Sequence, residues 1–527
     1  MPLPQLNRPL VSFAALLLFS LPAMAANPLQ IKTDKGKVEG AYTADQQVIA
    51  FKGIPYAAPP VGDLRWKPPM PAAKWKGVRP AKEFGSHCVQ TGGYPDMVFH
   101  DPGPSEDCLT LNVWTPASAK PDSHLPVMVW IYGGGFTTGG TSEKRQDGQY
   151  LAHRNVIIVS MNYRLGIFGF FVHPELTAES PHHASGNYGL MDQAAALEWV
   201  KRNIAAFGGD PSNITIFGES AGSFAVSTLM ASPLTKGLIS KAIGESGGAF
   251  YSGGLGYQPR EVLEQRNVEF ARTAFGTSQL ADLRKLSADD LVKAAMAKTD
   301  PRPPRFGPDI DGYFLPDSVP DIYAAGKQAH VPLLAGWNAD EGSFFATRGM
   351  TAVQWKAMAE GLFKDRSAEF LKLYPGDTDA QALRSAIDFG SDSFIAFGTW
   401  KWLEAQRKTG GDSPVYRYHF ELAALPSKYH PGTFAFHSDD IEYVFGTLDT
   451  RPGETVRAED RELSEAMMGY WSNFAKTGDP NGSGLPTWPK YGADNSLIHL
   501  NSPITSGPDT TRARYEFLLG GIPPMHF

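Results

Sequence analysis

The chain has 527 residues, 42% of them hydrophobic and 20% charged, a balance that fits a folded globular protein with a large core and excludes a mostly disordered one. Its 48 basic and 55 acidic residues give a formal net charge of −7, with no basic runs and no basic-aromatic interleaving, which argues against a nucleic-acid partner. Beyond the N-terminus no stretch approaches the ~18 to 20 apolar residues of a transmembrane helix, so no membrane span is expected.

Residues 1–25 read as an export signal. Arg8 supplies the positive start, Leu10 to Leu21 is almost wholly apolar, and Ala23-Met24-Ala25 places small residues where a signal peptidase cuts. Cleavage after Ala25 is expected, with residues 26–527 as the exported chain in the periplasm or outside the cell. The only two cysteines, Cys88 and Cys108, both lie in that exported part. A disulfide between them is the expectation for an oxidising compartment, and it would contribute about 3 kcal/mol through the chain entropy of the closed loop.

Taken in order, Leu29 to Ile54 reads as small antiparallel strands and Gly53 to Pro69 as proline-rich irregular structure. Leu109 to Thr115 and Leu125 to Tyr132 are strand candidates. The second, LPVMVWIY, is a continuous apolar run of the kind buried on both faces of a sheet. It ends in Gly133-Gly134-Gly135, where the absence of side chains lets backbone N–H groups approach a reacting oxygen; a loose turn is the plainer reading. Val156 to Met161 is another buried strand, and Met191 to Phe207 has helical spacing with Leu197, Val200 and Ile204 on one face.

Next comes NITIFGESAGSFAVSTLM, Asn213 to Met230, which reads as strand, tight turn and helix with Ser220 at the turn between Gly218 and Gly222. Gly-x-Ser-x-Gly also occurs at Gly244 to Gly248 around Ser246, but the glycine-rich segment that follows cannot start a helix, so context favours Ser220 as a nucleophile. Buried runs recur at Ile239 to Gly244, Val331 to Gly336 and Val415 to Leu422, with polar-faced helices such as Arg260 to Phe275 and Trp355 to Lys364 between them. A final helix, Glu459 to Lys476, presents Leu463, Met467, Tyr470, Trp471 and Phe474 to the core. Strands alternating with helices predict an α/β class with a large, mostly parallel central sheet and helical insertions.

A serine hydroxyl needs a histidine to take its proton and a carboxylate to orient that histidine. After VPLLAG the chain offers Asp340 and Glu341. After YRYHFEL a loop leads to His437, beyond what reads as the last sheet strand. His173, His182 and His183 lack the spacing of a metal site, and no zinc-type or calcium-type ligand set is evident. Phe136, Phe250, Trp337 and Phe344 are candidate aromatic walls because they neighbour these segments, with core packing the plain alternative.

Together GIPYAAPPVGDLRW, SEDCLTLNVW, WIYGGGF, NYRLGIFGF, GNYGLMDQ, FGESAGS, NADEGSFF and HSDDIEYVFG resemble the type B carboxylesterase (cholinesterase-like) family, its bacterial p-nitrobenzyl esterase branch in particular. The resemblance runs through nearly all of residues 26–527. It implies one α/β-hydrolase domain, with Ser220 as nucleophile, Glu341 rather than Asp340 as acid, His437 as base, and an oxyanion hole of the Gly134, Gly135 and Ala221 N–H groups. Glu219 and Ser246 would support that triad. It also implies ion pairs of Arg65 with Glu106 and of Arg164 with Asp107 that tie the loop closed by Cys88 and Cys108 to the body.

The expected activity is hydrolysis of carboxylic esters by a monomeric enzyme acting on a small-molecule ester, with no cofactor and no metal. An amidase or lipase on the same fold is the alternative, and a non-catalytic adhesion protein of this family is disfavoured because all three triad residues are present. In cholinesterases a tryptophan in the disulfide loop binds the choline cation; Pro95 to Pro104 holds none, so choline esters are not expected substrates.

Overall fold

The computed structural model of the chain describes residues 1–5, 27–250, 256–344, 349–427, 432–451, 453 and 455–522. The apolar run and the cleavage point expected at the N-terminus lie outside the described residues.

The apolar runs of the sequence form the middle of an 11-stranded sheet. In chain order its strands are β1 (Ala41–Tyr42), β2 (Val48–Pro55), β3 (Thr110–Pro116), β4 (Leu125–Ile131), β5 (Ile157–Met161), β6 (Gly209–Glu219), β7 (Lys241–Glu245), β8 (Leu333–Asn338), β9 (Val415–Phe420), β10 (Ser496–Leu500) and β11 (Thr505–Pro508). They lie side by side in the order β11-β10-β9-β8-β7-β6-β4-β5-β3-β2-β1. From β10 to β5 every pair is parallel, and the pairs at both edges are antiparallel. Parallel strands are covered on both faces, which is why Val127 to Ile131 and Ile157 to Val159 are wholly buried.

The helices that matter for the site are α1 (Tyr188–Asn203), α2 (Ala221–Ala231), α3 (Arg260–Phe275), α4 (Ala352–Phe363), α5 (Asp379–Ser391), α6 (Phe397–Thr409) and α7 (Ala458–Thr477). Helix α7 buries Leu463, Met467, Tyr470, Trp471 and Phe474, as its spacing predicts. Among the described residues no helix is long and apolar enough to cross a membrane. The chain passes from β4 to β5 on one side and then crosses to β6 on the other. The carboxyl ends of β4 and β6 therefore flank a topological switch point, where open α/β sheets leave a crevice for ligands.

Two expectations need correction. Val415–Phe420 is not the last strand, because β10 and β11 extend the sheet beyond it; they are only five and four residues long, too short to stand out as apolar runs. Cys88 and Cys108 are disulfide-bonded, and Arg65 does fork onto Glu106, at 2.7 and 2.6 Å. Arg164, however, pairs with Asp192 of α1 and not with Asp107. Its Nε and Nη2 donate to the two Asp192 oxygens at 2.8 and 2.7 Å, with both side chains buried, whereas Asp107 is exposed. A guanidinium taken out of water needs an equally buried carboxylate, and α1 supplies it.

This assignment has a direct test. Asp192→Ala leaves Arg164 buried without its counter-ion and should destabilise the fold by about 3–5 kcal/mol, whereas Asp107→Ala should leave the urea midpoint near the parent value.

Candidate active site

Strand β6 ends at Glu219, and Ser220 follows with φ +54°, a strained value for a residue with a Cβ. The flanking glycines make this turn possible by close approach. A Cβ on Gly222 would lie 1.9 Å from the Ile131 carbonyl oxygen at the end of β4, and one on Gly218 2.5 Å from the same atom. Only glycine at both positions lets the head of α2 press against β4.

Ser246 occupies the equivalent turn one strand over. Glu219 and Glu245 are register partners in β6 and β7, and Ser246 has the same φ, +54°. The repeated Gly-Glu-Ser motif is thus the same turn built twice, and what differs is the neighbour each hydroxyl finds. Ser220 Oγ lies 2.9 Å from His437 Nε2, whereas Ser246 Oγ donates to Glu341 Oε1 at 2.5 Å.

Glu341 is fully buried in the turn after β8. Its Oε1 also accepts from the Asn338 N–H at 2.8 Å, and its Oε2 meets His437 Nδ1 at 2.5 Å. Asp340 points elsewhere: it accepts from Arg384 at 2.6 Å and from the Ala435 N–H at 3.0 Å, which anchors the loop carrying His437. The structure therefore brings Ser220, His437 and Glu341 into one hydrogen-bonded line and leaves Asp340 as a brace.

Gly134 and Gly135 take φ +99° and +64° in the turn after β4. A Cβ on Gly133 would stand 3.0 Å from Ser220 Cβ, so this turn lies against the serine. Among the described residues none accepts a hydrogen bond from the N–H of Gly134, Gly135 or Ala221. Ser220 itself is only 8% exposed, so its hydroxyl is largely withdrawn from bulk water.

The electrostatics centre on His437. Burial pushes its imidazole pKa down, but the carboxylates of Glu219 and Glu341 outweigh burial and carry it up to about 9. Glu219 Oε1 lies 3.2 Å from Nε2, without hydrogen-bond alignment, and burial pushes this carboxyl up to about 8. Glu245, hydrogen-bonded by the Trp471 indole at 2.7 Å, is also raised by burial. Asp440, held by Tyr418 and Asn338, is raised by burial to about 6.

Of the four aromatic candidates, Phe136, Phe250 and Trp337 are buried in packing contacts with Phe170, Tyr323 and Tyr515. Phe344 is half exposed and meets Phe394, whose ring lies 5.3 Å from the His437 ring. Phe394 was not singled out by sequence. It sits on a π-helical segment, Asp392–Ala396, between α5 and α6, and π-turns of this kind favour functional sites but leave no local sequence mark.

One cluster with metal-type donors, His419, Glu421 and His499, also escaped the sequence reading, since its members come from β9, the loop after it and β10. Both imidazole Nδ1 atoms contact the same Glu421 oxygen, at 2.8 and 2.6 Å. Ligands around one tetrahedral zinc stand about 3.3 Å apart, so this is a closed hydrogen-bond network.

Comparison with known proteins gives the family and the fold. Residues 27–517 match the model of the Carboxylesterase family. Fumonisin B1 esterase of Sphingopyxis macrogoltabida is 35% identical over 505 residues, covering 90% of this chain and 87% of its own. Para-nitrobenzyl esterase of Bacillus subtilis (strain 168) is 36% identical over 492 residues, 90% of this chain and 95% of its own. A solved PNB esterase structure superposes with a TM-score of 0.78 at 35% identity, covering 93% of this chain and 99% of that one. The sheet and its flanking helices are those of the α/β-hydrolase fold, and the chain belongs to the carboxylesterase family, as a carboxylic ester hydrolase.

Proposed function

We propose that the chain cleaves carboxylic esters through an acyl-enzyme formed on Ser220. The observation that carries this reading is the His437 imidazole, 2.9 Å from Ser220 Oγ on one side and 2.5 Å from Glu341 on the other. His437 takes the proton of Ser220 as Oγ attacks the ester carbonyl, then gives it to the departing alkoxide. Water, deprotonated by the same nitrogen, releases the acid. Glu341 holds Nδ1 protonated and faces the imidazolium that forms. The Gly134, Gly135 and Ala221 N–H groups receive the oxyanion, each such donor contributing about 2.7 to 4 kcal/mol to the transition state in comparable hydrolases.

We further propose export, with residues 1–25 as the leader and 26–527 as a single catalytic unit. The Cys88–Cys108 disulfide supports an oxidising compartment. Ser220, Glu341 and His437, 121 and 96 positions apart in the chain yet hydrogen-bonded in one line, support the single unit. Initial rates on short and long p-nitrophenyl esters and on an anilide separate this reading from a lipase or an amidase.

Ser220→Ala should lower hydrolysis of p-nitrophenyl butyrate by about 10⁴-fold or more while leaving the near-UV circular dichroism unchanged. A variant as fast as the parent would remove the chemistry from this serine. The second expectation concerns pH. The base must be neutral to act, so kcat/KM rises with pH through the apparent pKa of His437. Glu219→Gln removes a carboxylate that favours the imidazolium, so the rise should move to lower pH. A profile left in place would show that Glu219 does not govern the titration of His437.

A further inference from the structure

Arg305 meets the glycine turn that also touches Ser220. Its Nη2 donates to the Gly135 carbonyl at 2.9 Å, and a Cβ on Gly135 would lie 2.9 Å from that nitrogen. Two residues earlier in the same turn, a Cβ on Gly133 would stand 3.0 Å from Ser220 Cβ. The cation and the serine therefore bracket one short turn.

Arg65, Arg145, Arg164 and Arg384 each pair with a carboxylate. Among the described residues no carboxylate lies within 4.0 Å of Arg305. A guanidinium carries five N–H donors, and the Gly135 carbonyl takes one. The residue is exposed, so its remaining donors are open to a ligand. The disulfide loop borders the same approach. Gln90 and Thr91 of that loop bond the Gly139 and Thr137 carbonyls beyond the glycine turn, and its exposed Tyr94 is near enough to interact electrostatically with Arg305.

A cation with unused forked donors, held on the glycine turn that also touches the serine, matches a carboxylate and repels a quaternary ammonium. We infer that Arg305 is a specificity-determining residue that selects esters carrying a free carboxylate. This rests on Ser220 being the nucleophile of the ester hydrolysis proposed above. The competing role, a prop for the glycine turn through the Gly135 bond, would affect every ester alike.

The test uses the full exported chain and two pairs of probes. Mono-p-nitrophenyl adipate against p-nitrophenyl hexanoate places the carboxylate on the acyl side, and 4-(butanoyloxy)benzoate against its methyl ester places it on the alcohol side. In Arg305→Met the ratio of kcat/KM, acidic over neutral, should fall by about tenfold or more for at least one pair, with Arg305→Lys in between. In the parent the same ratio should fall as salt is raised from about 20 to about 200 mM. Turnover of the neutral esters reports folding of each variant. Ratios unchanged in both pairs, or losses equal on acidic and neutral esters, would overturn the inference. A Ser220→Ala enzyme that still turns over the hexanoate would instead sink the underlying reading.

Discussion

The carbonyl oxygen of Ile131 is the point on which the site is built. It ends β4, and both Gly218 and Gly222 are packed so tightly against it that neither could carry a methyl group. This contact joins the two strands at the switch point of the sheet. It fixes the head of α2 over the end of β4 and so brings the turn after β4 against Ser220. The strain of a serine at positive φ is sustained because the neighbouring strands leave no room to relax it: the Ser220 N–H is held by the Glu245 carbonyl of β7, and the Ser246 N–H by the Gly336 carbonyl of β8. The strand ends thus form a stepped row, and each step delivers one group to the centre.

Those deliveries concentrate acid in a small volume. Glu219, Glu341 and Asp440 are buried around the His437 imidazole, and Glu245 is buried beside Glu219 and Asp440. Burial first, and then repulsion from neighbouring carboxylates, raises the carboxyls of Glu219, Glu245 and Asp440, while the facing imidazole pulls Glu219 the other way. Glu341 differs in its bonding, since its two oxygens meet Ser246, Asn338 and His437 together. Ser246 gains its purpose here. The second Gly-x-Ser-x-Gly turn places a hydroxyl on the carboxylate that orients the histidine.

Much of this was legible in the sequence because strong local patterns wrote it. Strongly apolar runs marked β4 and β5, and the β-branched and aromatic run Ile214 to Phe217 marked β6, as strands buried on both faces require. Gly133 to Gly135 and the serine turn stood out because close approach demands glycine. The shorter strands β10 and β11 left too little pattern to find. Partners across the fold were illegible for a different reason: nothing near Arg164 in sequence points to Asp192, 28 residues away on a helix, and a resemblance pointed to Asp107 instead. The choice between Asp340 and Glu341 was likewise open to local reading, for adjacent carboxylates on one turn face opposite ways. Phe394 was hidden because its position depends on the π-turn, which has no residue signature.

The glycine turn also sets what kind of group the site can accept. Two of its carbonyls are occupied by the protein: Gly134 O receives the N–H groups of Thr137 and Thr138, both at 3.1 Å, and Gly135 O receives Arg305. Its N–H groups are not occupied by any described residue. Two of the three glycine carbonyls of this turn are therefore consumed, while the N–H groups of Gly134 and Gly135 are left for an incoming acceptor. Arg305 extends that bias, because it consumes a carbonyl and brings further N–H groups in its place. Buried donors left unpaired carry a desolvation penalty that only an incoming acceptor relieves. An incoming oxygen acceptor relieves that penalty, and a cation does not. The absence of a tryptophan from the disulfide loop and the presence of Arg305 beside it therefore act in the same direction on substrate charge.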